Sequence, residues 1–396
     1  MFKINNKHCE GFSKIFTVLG VIILLPAILL LLDYTAPPDK KVIFKAQPVS
    51  QTNTNSGNAP KYETTNFKNN LNVEWKKTDK ITSLNSYITP KNGNVYVASD
   101  INFCNTGGKK LLLDLYSNRQ PDPNNLHPMI IYVHGGGLIA GDKSQIDADM
   151  SKIILSLVEN GYIIASINYR LAPQFKYPAM IQDVLCADRF LRYYSSSFGG
   201  DQNKIGIFGD SVGGQLSSLV GATSGVESWE YSGDLQIAGA DLTGEEYLKI
   251  PTKPNAVVTF YGGSNLPESK MALFMVQHII GSWHNPFDNK DYPISELFKM
   301  IYGLDPIIMH EAGAGNYVTK NEPPFLIVQG DKDTLNPPDL STTFYYQLKS
   351  KDNNVRLLIV KNAGHGLEPS PVGATLNPSL TEVVQTTVDF FKSNLR

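Results

Sequence analysis

The decapeptide at residues 205–214, IGIFGDSVGG, constrains the fold more than any other part of the sequence. Its apolar first half predicts a short buried strand, and the residues from Val212 onward predict a helix. Ser211 lies between the two, at the centre of the pattern G-x-S-x-G. A serine at a sharp strand-to-helix turn is strained and exposes its hydroxyl, and the residues two positions away must be small. The stretch therefore predicts an exposed, reactive serine at the edge of a helix-covered sheet.

Apolar runs alternate with helical patterns from about residue 95 to the C-terminus, which is typical of an α/β fold with a mostly parallel central sheet flanked by helices. The unbroken apolar runs MIIYVH, YIIASIN and FLIVQG favour strands that are covered on both faces. The predicted strands are 111–116, 129–134, 163–168, 205–209, 256–261, 325–329 and 356–360. The predicted helices are 147–160, 178–195, 212–221, 338–349 and 380–393. Two interruptions, 222–253 and 264–321, are long enough to predict inserted lid or cap segments.

The N-terminal part differs in composition from the rest of the chain. Residues 15–32, IFTVLGVIILLPAILLLL, form an uncharged run that is long enough, as a helix, to cross the ~30 Å hydrocarbon core of a bilayer. No A-x-A cleavage pattern follows, which favours an uncleaved transmembrane signal anchor over a cleaved signal peptide. The polar residues 33–94 predict a tether, within which the part around 73–88 is a candidate to pack on the domain edge. Residues 95–396 are the predicted catalytic domain.

The orientation of the predicted anchor does not follow from charge, because three lysines precede the apolar run and three follow it. A short tail such as residues 1–14 usually stays in the cytoplasm, and this places the catalytic domain on the extracytoplasmic side of the membrane. The chain has no N-x-[ST] acceptor with a permitted middle residue, which favours a bacterial periplasm over a glycosylating lumen.

Charge and cysteine content exclude several classes of partner. The formal net charge is -2 and no basic stripe is present, which argues against nucleic-acid binding. The three cysteines have no metal-ligand spacing, and no metal or organic cofactor is predicted. A disulfide between Cys104 and Cys186 is conceivable in an oxidising compartment, but we prefer two separately buried thiols. The oligomeric state is not indicated.

A serine hydroxyl becomes a useful nucleophile only when a base takes its proton and a carboxylate orients that base. The leading candidate for the base is His365, in the glycine-rich stretch KNAGHG directly after the last predicted strand. Functional groups in open α/β sheets gather at the carboxyl ends of strands, which is where His365 is expected. Two aspartates follow the strand FLIVQG. Asp333 is preferred as the orienting carboxylate because it lies further from the strand end, where it can reach a histidine on the next loop. Asp331 is nearer the strand and is expected to shape the turn.

The negative charge that develops on an attacked carbonyl oxygen requires free backbone N–H groups. The stretch IYVHGGG ends a predicted strand with three glycines, and glycine lets the backbone approach a ligand oxygen closely. Gly135 and Gly136 are therefore candidates for an oxyanion hole, together with Val212 at the start of the helix after the serine. His134 is expected to orient the glycine loop, and Asp210 is expected to act as a supporting electrostatic group.

These motifs, in this order, resemble those of the hormone-sensitive-lipase-like and BD-FAE-like esterases of the α/β-hydrolase superfamily. The likeness extends from about Leu111 to the C-terminus and rests first on the H-G-G-G block and the G-D-S-x-G-G elbow. Further matching stretches are A-G-D-K at 140–143, N-Y-R-L-A-P at 168–173, Y-P-A at 177–179, D-P at 305–306 and Q-G-D-K-D at 329–333. Gln329 departs from the histidine that is common there. Arg170 and Asp183 are predicted to form a structural ion pair.

The resemblance implies an α/β-hydrolase fold with Ser211 as nucleophile, Asp333 as orienting carboxylate and His365 as base and then acid. It implies that Gly135, Gly136 and Val212 line the oxyanion hole. The expected function is a serine carboxylic ester hydrolase, of the carboxylesterase, acetylesterase or lipase-like kind, which acts on a small-molecule ester through an acyl-enzyme. Two alternatives remain: an amidase or peptidase with the same triad, and a non-catalytic hydrolase-fold binding protein.

Overall fold

The computed structural model describes residues 71–79, 81–82, 87–88, 95–223, 235–264, 282–285, 290–293 and 306–395. Its strands, numbered β1 to β14 in chain order, are Lys76–Thr78, Ile81–Thr82, Tyr87–Ile88, Val95–Thr106, Lys109–Ser117, His127–Val133, Ile163–Ile167, Gly200–Asp210, Gln236–Ile237, Ala256–Phe260, Ser282–Asn285, Lys290–Pro293, Phe325–Gly330 and Val355–Val360. Its α-helices, numbered α1 to α7, are Ala148–Glu159, Ala179–Tyr193, Val212–Ala222, Gly244–Lys249, Pro306–Glu311, Pro338–Ser350 and Leu380–Asn394. Two 3-10 helices are Ser195–Phe198 and Ala314–Tyr317.

Each strand and helix that the sequence predicts has an observed counterpart, and most ends differ by only one or two residues. The predicted strands correspond to β5, β6, β7, β8, β10, β13 and β14, and the predicted helices to α1, α2, α3, α6 and α7. The largest difference in length is at β8, which begins at Gly200 rather than at residue 205. The longest strand, β4, is an element that the sequence analysis did not predict.

One sheet contains the strands in the order β1-β4-β5-β7-β6-β8-β10-β13-β14, with β9 paired to β4. The run from β7 to β14 is parallel, and the pairs that involve β1, β4, β5 and β9 are antiparallel. The predicted mostly parallel sheet is confirmed. Because parallel strands share one carboxyl end, the loops after β6, β8, β10, β13 and β14 emerge at the same edge of the sheet.

Helices cover both faces of this sheet. On one face a buried cluster includes Phe190 of α2, Leu216 of α3 and Phe344 of α6. On the other face a second cluster includes Ile153 of α1 and Phe391 of α7. Every residue of β10 and β13 is buried, because these central strands are covered on both sides. This two-sided burial is the physical reason for the unbroken apolar runs in their sequences.

A disulfide joins Cys104 of β4 to Cys186 of α2, and the two Cα atoms lie 6.5 Å apart. Both residues are fully buried. The sequence-based preference for two separate thiols is therefore wrong. The physical reason is that Cys104 lies on the unpredicted strand β4, whose pairing with β5 brings it to the sheet face that α2 covers.

The antiparallel edge of the sheet includes part of the predicted tether and part of the first predicted lid segment. Strand β1 pairs with β4 and lies inside the predicted tether 33–94, in the stretch singled out to pack on the domain edge. Strand β9 also pairs with β4, and Tyr247 of α4 is buried in the core. The described part of the first predicted lid segment, 235–253, is therefore an extension of the sheet edge, and not a lid.

Several predicted segments lie outside the described residues. They include the predicted tail 1–14, the anchor 15–32, most of the tether and most of the second lid segment, 264–321. Within the part of the chain that the structure describes, no helix combines the length and apolar character needed to cross a bilayer.

Candidate active site

Ser211 lies at the turn between β8 and α3, with φ +52° and ψ -124°. This backbone region is rarely adopted by residues other than glycine, so the serine is held in a strained conformation. Its N–H donates a 2.9 Å hydrogen bond to the carbonyl of Phe260. A Cβ atom on Gly209 or on Gly213 would collide with the carbonyl oxygen of Val133. The glycines of G-x-S-x-G are thus required by the close approach of β6 to the turn.

Three side chains from different loops form a continuous hydrogen-bonded chain. His365 Nε2 lies 2.9 Å from Ser211 Oγ, and His365 Nδ1 lies 2.9 Å from Asp333 Oδ2. A carboxylate accepts, so Nδ1 carries the proton and Nε2 is left to accept from the serine hydroxyl. The Asp333 side chain is fully buried, whereas the His365 side chain is 25% exposed. A substrate can therefore reach the serine and the imidazole but not the carboxylate.

Asp333 is fixed by donors to both of its oxygens. Its Oδ1 accepts from the backbone N–H groups of Leu335, at 2.9 Å, and Asn336, at 2.8 Å. Its Oδ2 accepts from Gln329 Nε2 at 3.0 Å, in addition to His365. Gln329 is itself fully buried and accepts a 2.7 Å hydrogen bond from the Ser341 hydroxyl. The residue that departs from the family pattern thus still supports the carboxylate.

Asp331 occupies a different position. Its Oδ1 accepts a 2.6 Å hydrogen bond from the backbone N–H of Asn362, and its Oδ2 lies 3.6 Å from the Lys361 ammonium. These contacts tie the loop after β13 to the end of β14. The structure therefore assigns Asp331 to the turn, as the sequence analysis predicts.

His134 stabilises the glycine loop that follows β6. Its Nδ1 donates to the carbonyl of Gly135 at 2.7 Å, and its ring stacks on Tyr169 with the ring centroids 4.3 Å apart. Burial lowers the pKa of His134 to about 4, so the imidazole is neutral at pH 7. The Tyr169 hydroxyl donates to the carbonyl of His134 at 2.9 Å. A side chain on Gly141, with φ +113°, would collide with the imidazole.

The N–H groups of Gly135, Gly136 and Val212 form no hydrogen bond with any described residue. Val212 is the first residue of α3, and the first N–H groups of a helix have no partner within it. The backbone of Gly135 lies against Asp210, the residue directly before the serine. Gly135, Gly136 and Val212 are all partly exposed.

Asp210 is buried beneath the glycine loop. The Tyr132 hydroxyl donates to its Oδ1 at 2.7 Å, and its Oδ2 faces the backbone of Gly135. Burial, reinforced by the charge of Asp147, raises the pKa of Asp210 to about 7. Asp210 therefore contacts the loop and the strand around the nucleophile, and it is a weaker acid than an exposed aspartate.

The predicted ion pair between Arg170 and Asp183 is confirmed. Arg170 Nη2 lies 2.8 Å from Asp183 Oδ1, and the backbone N–H of Arg170 donates to Oδ2 at 2.7 Å. The Asp183 side chain is fully buried on α2. The pair holds the residue that follows Tyr169, and Tyr169 in turn contacts His134 through its ring and its hydroxyl.

Sequence reasoning missed other residues that support the site. Tyr132 contacts Asp210, and Asn336 contributes its N–H to Asp333. Tyr132 lies near the carboxyl end of β6, which ends at Val133, and Asn336 lies in the loop that follows β13, which ends at Gly330. That position is the signal that identifies such residues, since the candidate site forms at this edge of the sheet.

Two further histidines lie outside this arrangement. His127 contacts Arg119 at the start of β6, and His310 is exposed on α5. Across the described ranges, no cluster of three or more His, Cys, Asp or Glu side chains is arranged to hold a metal ion.

The family model for BD-FAE matches residues 113–348, which is more than half of the chain. The chain belongs to the BD-FAE family. Among curated relatives, this BD-FAE chain is 28% identical to esterase LipC of Mycobacterium tuberculosis over 264 residues, or 65% of this chain and 57% of LipC. It is 32% identical to ethyl acetate hydrolase of Pseudomonas putida over 123 residues, or 31% of this chain and 37% of that enzyme. The chain thus spans about half the length, or less, of these relatives.

Solved structures match the BD-FAE chain at the level of the fold. A truncated carbohydrate esterase from gut microbiota aligns with a TM-score of 0.53 and 23% identity over 75% of this chain and 96% of that chain. The metagenomic carboxylesterase EstE1 aligns with a TM-score of 0.54 and 18% identity over 75% of this chain and 88% of its own. The predicted α/β-hydrolase fold is confirmed by these matches.

Proposed function

We propose that this chain is a carboxylic ester hydrolase that acts through a covalent acyl-serine. The observation that carries the proposal is the hydrogen-bonded series from Ser211 Oγ through His365 to Asp333, with 2.9 Å at each link. Membership of the BD-FAE family supports it, as do relatives named esterase and ethyl acetate hydrolase. Small-molecule esters are the proposed substrates.

In the first half of the reaction, Ser211 Oγ attacks the ester carbonyl carbon while His365 Nε2 takes the hydroxyl proton. The resulting imidazolium is stabilised by the buried Asp333 carboxylate and then gives its proton to the leaving alcohol. The carbon–oxygen bond to the alcohol breaks, and the acyl group remains on the serine. In the second half, His365 removes a proton from water, which attacks the acyl carbon, and the proton returns to Ser211 as the acid leaves.

The carbonyl oxygen becomes negatively charged twice in this cycle. The N–H groups of Gly135, Gly136 and Val212 are proposed to receive that charge. Their lack of other hydrogen-bond partners among the described residues supports this role. The loss of one such donor typically costs ~3 to 4 kcal/mol of transition-state stabilisation.

The test replaces Ser211 with alanine and follows the hydrolysis of p-nitrophenyl acetate. Without the nucleophile, kcat is expected to fall by at least about 10³-fold. Ser217→Ala is the matched control, because this buried hydroxyl on the same helix donates only to the Gly213 carbonyl in its own turn. Ser217→Ala should retain activity. Undiminished hydrolysis by a folded Ser211→Ala protein would contradict the proposed mechanism.

The two alternatives are separated by the choice of probe. Anilide substrates with the same acyl group distinguish an amidase from an esterase, and a fluorophosphonate probe reports whether Ser211 is activated at all. Rapid labelling with ester turnover supports the proposal. No labelling of the folded wild-type protein would favour a non-catalytic binding protein.

We further propose that residues 15–32 anchor the chain in a membrane and that the hydrolase domain lies on the extracytoplasmic side. The uncharged apolar run supports the anchor, and the Cys104–Cys186 disulfide suits an oxidising compartment. The expected result is retention in the membrane fraction after alkaline carbonate washing, with the domain accessible to protease added from outside. Release by carbonate would contradict the anchor, and protection from protease would contradict the orientation.

A further inference from the structure

We propose that Tyr261, directly after β10, is a positioning residue that holds the His365 imidazole in its reactive orientation. The inference rests on the proposed function, since it concerns the geometry of the same triad. The sheet order explains why such a residue is needed. Ser211 follows β8 and His365 follows β14, and β10 and β13 lie between these two strands. The carboxyl end of β10 therefore lies between the loop that carries Ser211 and the loop that carries His365.

The backbone of Tyr261 is tightly held in an uncommon conformation. Its φ is +41°, a region that is unfavourable for a bulky residue. Its N–H donates to the carbonyl of Val328 at 2.8 Å, and its own carbonyl accepts from Asn336 Nδ2 at 2.7 Å. These two hydrogen bonds tie Tyr261 to β13 and to the loop that carries Asp333. The position of its ring is consequently determined by the framework and not by the loop of His365.

The ring of Tyr261 packs against the imidazole. Tyr261 is 2% exposed, and its ring centroid lies 4.9 Å from that of His365 with an interplanar angle of 63°. The hydrogen bonds of His365 to Ser211 and Asp333 run through its two nitrogens, and they leave the ring free to tilt about the line that joins these atoms. A steeply inclined aromatic ring in contact with the imidazole opposes that tilt. Aromatic pairs favour this geometry.

The residue before Tyr261, Phe260, holds the nucleophile in place. The carbonyl of Phe260 accepts the N–H of Ser211 at 2.9 Å. Asn336, which binds the Tyr261 carbonyl, also donates its backbone N–H to Asp333 Oδ1. The dipeptide Phe260–Tyr261 therefore contacts the serine directly, the histidine through a ring and the aspartate through Asn336. One short segment sets the relative positions of all three triad residues.

The experiment compares Tyr261→Leu, which removes the ring, with Tyr261→Phe, which keeps it. The readouts are kcat and KM for p-nitrophenyl acetate, together with the thermal midpoint. Tyr261→Leu is expected to lower kcat by roughly ten- to a hundredfold, since small misplacements of a catalytic group are costly. Its KM should change less than about twofold, and Tyr261→Phe should restore kcat to nearly the wild-type value.

Phe344→Leu is the matched control. Phe344 is fully buried on α6 and makes a perpendicular contact with Phe325, with ring centroids 5.5 Å apart. This variant should lose as much thermal stability as Tyr261→Leu while kcat stays unchanged. A proportional loss of kcat in both variants would show that Tyr261 acts only through stability, and would overturn the inference. So would a Tyr261→Leu protein with wild-type kcat, or a Tyr261→Phe protein as slow as the leucine variant.

A second observable separates this inference from the proposed function. In ¹⁵N-histidine-labelled protein, the imidazole signals of His365 should shift in Tyr261→Leu and stay in place in Tyr261→Phe. If the wild-type protein hydrolyses no ester, the proposed function fails. The positioning role is then tested by the signals alone, and unshifted His365 signals in Tyr261→Leu would overturn it. If Tyr261→Leu does not fold, Asn336→Ala removes the tie to the Tyr261 carbonyl, and an unchanged kcat in that variant would equally refute the inference.

Discussion

Replacement of both Cys104 and Cys186 by alanine measures what the disulfide contributes to the stability of the catalytic domain. The bridge joins residues 82 positions apart. In the chain-entropy model, a cross-link over that separation lowers the entropy of the unfolded chain by about 15 cal/mol/K, or about 4.5 kcal/mol at 25 °C. We therefore expect the double variant to lose between about 3 and 5 kcal/mol of unfolding free energy, because strain and residual structure alter the ideal value.

The assay is urea unfolding of wild-type and variant proteins, each with and without a phosphine reductant. The wild-type midpoint should fall when the reductant is present, whereas the double-alanine variant should be insensitive to it. Cys9→Ala is the matched control and should unfold like the wild type, since Cys9 is the cysteine outside the pair.

Thiol titration in denaturant provides an independent count of the cysteines that are not in a disulfide. The chain has three cysteines, so a protein with the Cys104–Cys186 bridge exposes one reactive thiol, that of Cys9. Three reactive thiols in protein purified without reductant, with an unfolding midpoint that does not respond to reductant, would refute the reasoning. That result would restore the interpretation of two separately buried thiols.

Three further predictions concern the site and its support. Gly213→Ala introduces a Cβ against the carbonyl oxygen of Val133, so ester hydrolysis should fall by at least about a hundredfold with the far-UV circular dichroism retained; wild-type activity would contradict the assigned elbow geometry. Arg170→Leu removes the Arg170 guanidinium from the buried Asp183 carboxylate and should cost about 3 to 5 kcal/mol in urea unfolding. A loss below about 1 kcal/mol would contradict a stabilising role of this ion pair. Asp210 has its pKa raised to about 7, so the folded protein keeps a proton that the unfolded chain releases. The contribution of Asp210 to the unfolding free energy should therefore decrease from about pH 4 to about pH 7, by on the order of 4 kcal/mol. Asp210→Asn should flatten the pH dependence of the thermal midpoint. Midpoints of wild type and variant that change in parallel with pH would refute this role of Asp210.

The parallel half of the molecule could be predicted from the sequence because its signals are local. Strands such as β10 and β13 are buried on both faces, and their sequences are therefore unbroken apolar runs. Once the strands are known, their carboxyl ends are known too, and Ser211, Asp333 and His365 follow three of them. The glycines around the serine identify the turn by themselves, because a side chain on Gly213 has no space there.

The antiparallel edge could not be predicted in the same way. Strand β4 has two register shifts against β5, between Ala98 and Ile101 and again just before Cys104, and these break the alternation that identifies a half-buried strand. Asp100, at the first shift, has φ +58°. Its N–H donates to Asp114 Oδ1 at 2.8 Å, and both carboxylates contact the ammonium group of Lys143. The irregularity is thus stabilised by a charged cluster whose members are distant in sequence.

Two of the contacts that sequence reasoning missed follow from strand order and not from any local pattern. The pairing of Cys104 with Cys186 requires β4 to lie beside β5, with α2 packed over that part of the sheet. The contact of Tyr261 with His365 requires β10 to lie between β8 and β13, which is a property of the sheet as a whole. A motif specifies which atoms can react, since its constraints act within a few residues. The distances between reacting atoms are set by the neighbours that the topology supplies, and a single sequence contains no local signal for those neighbours.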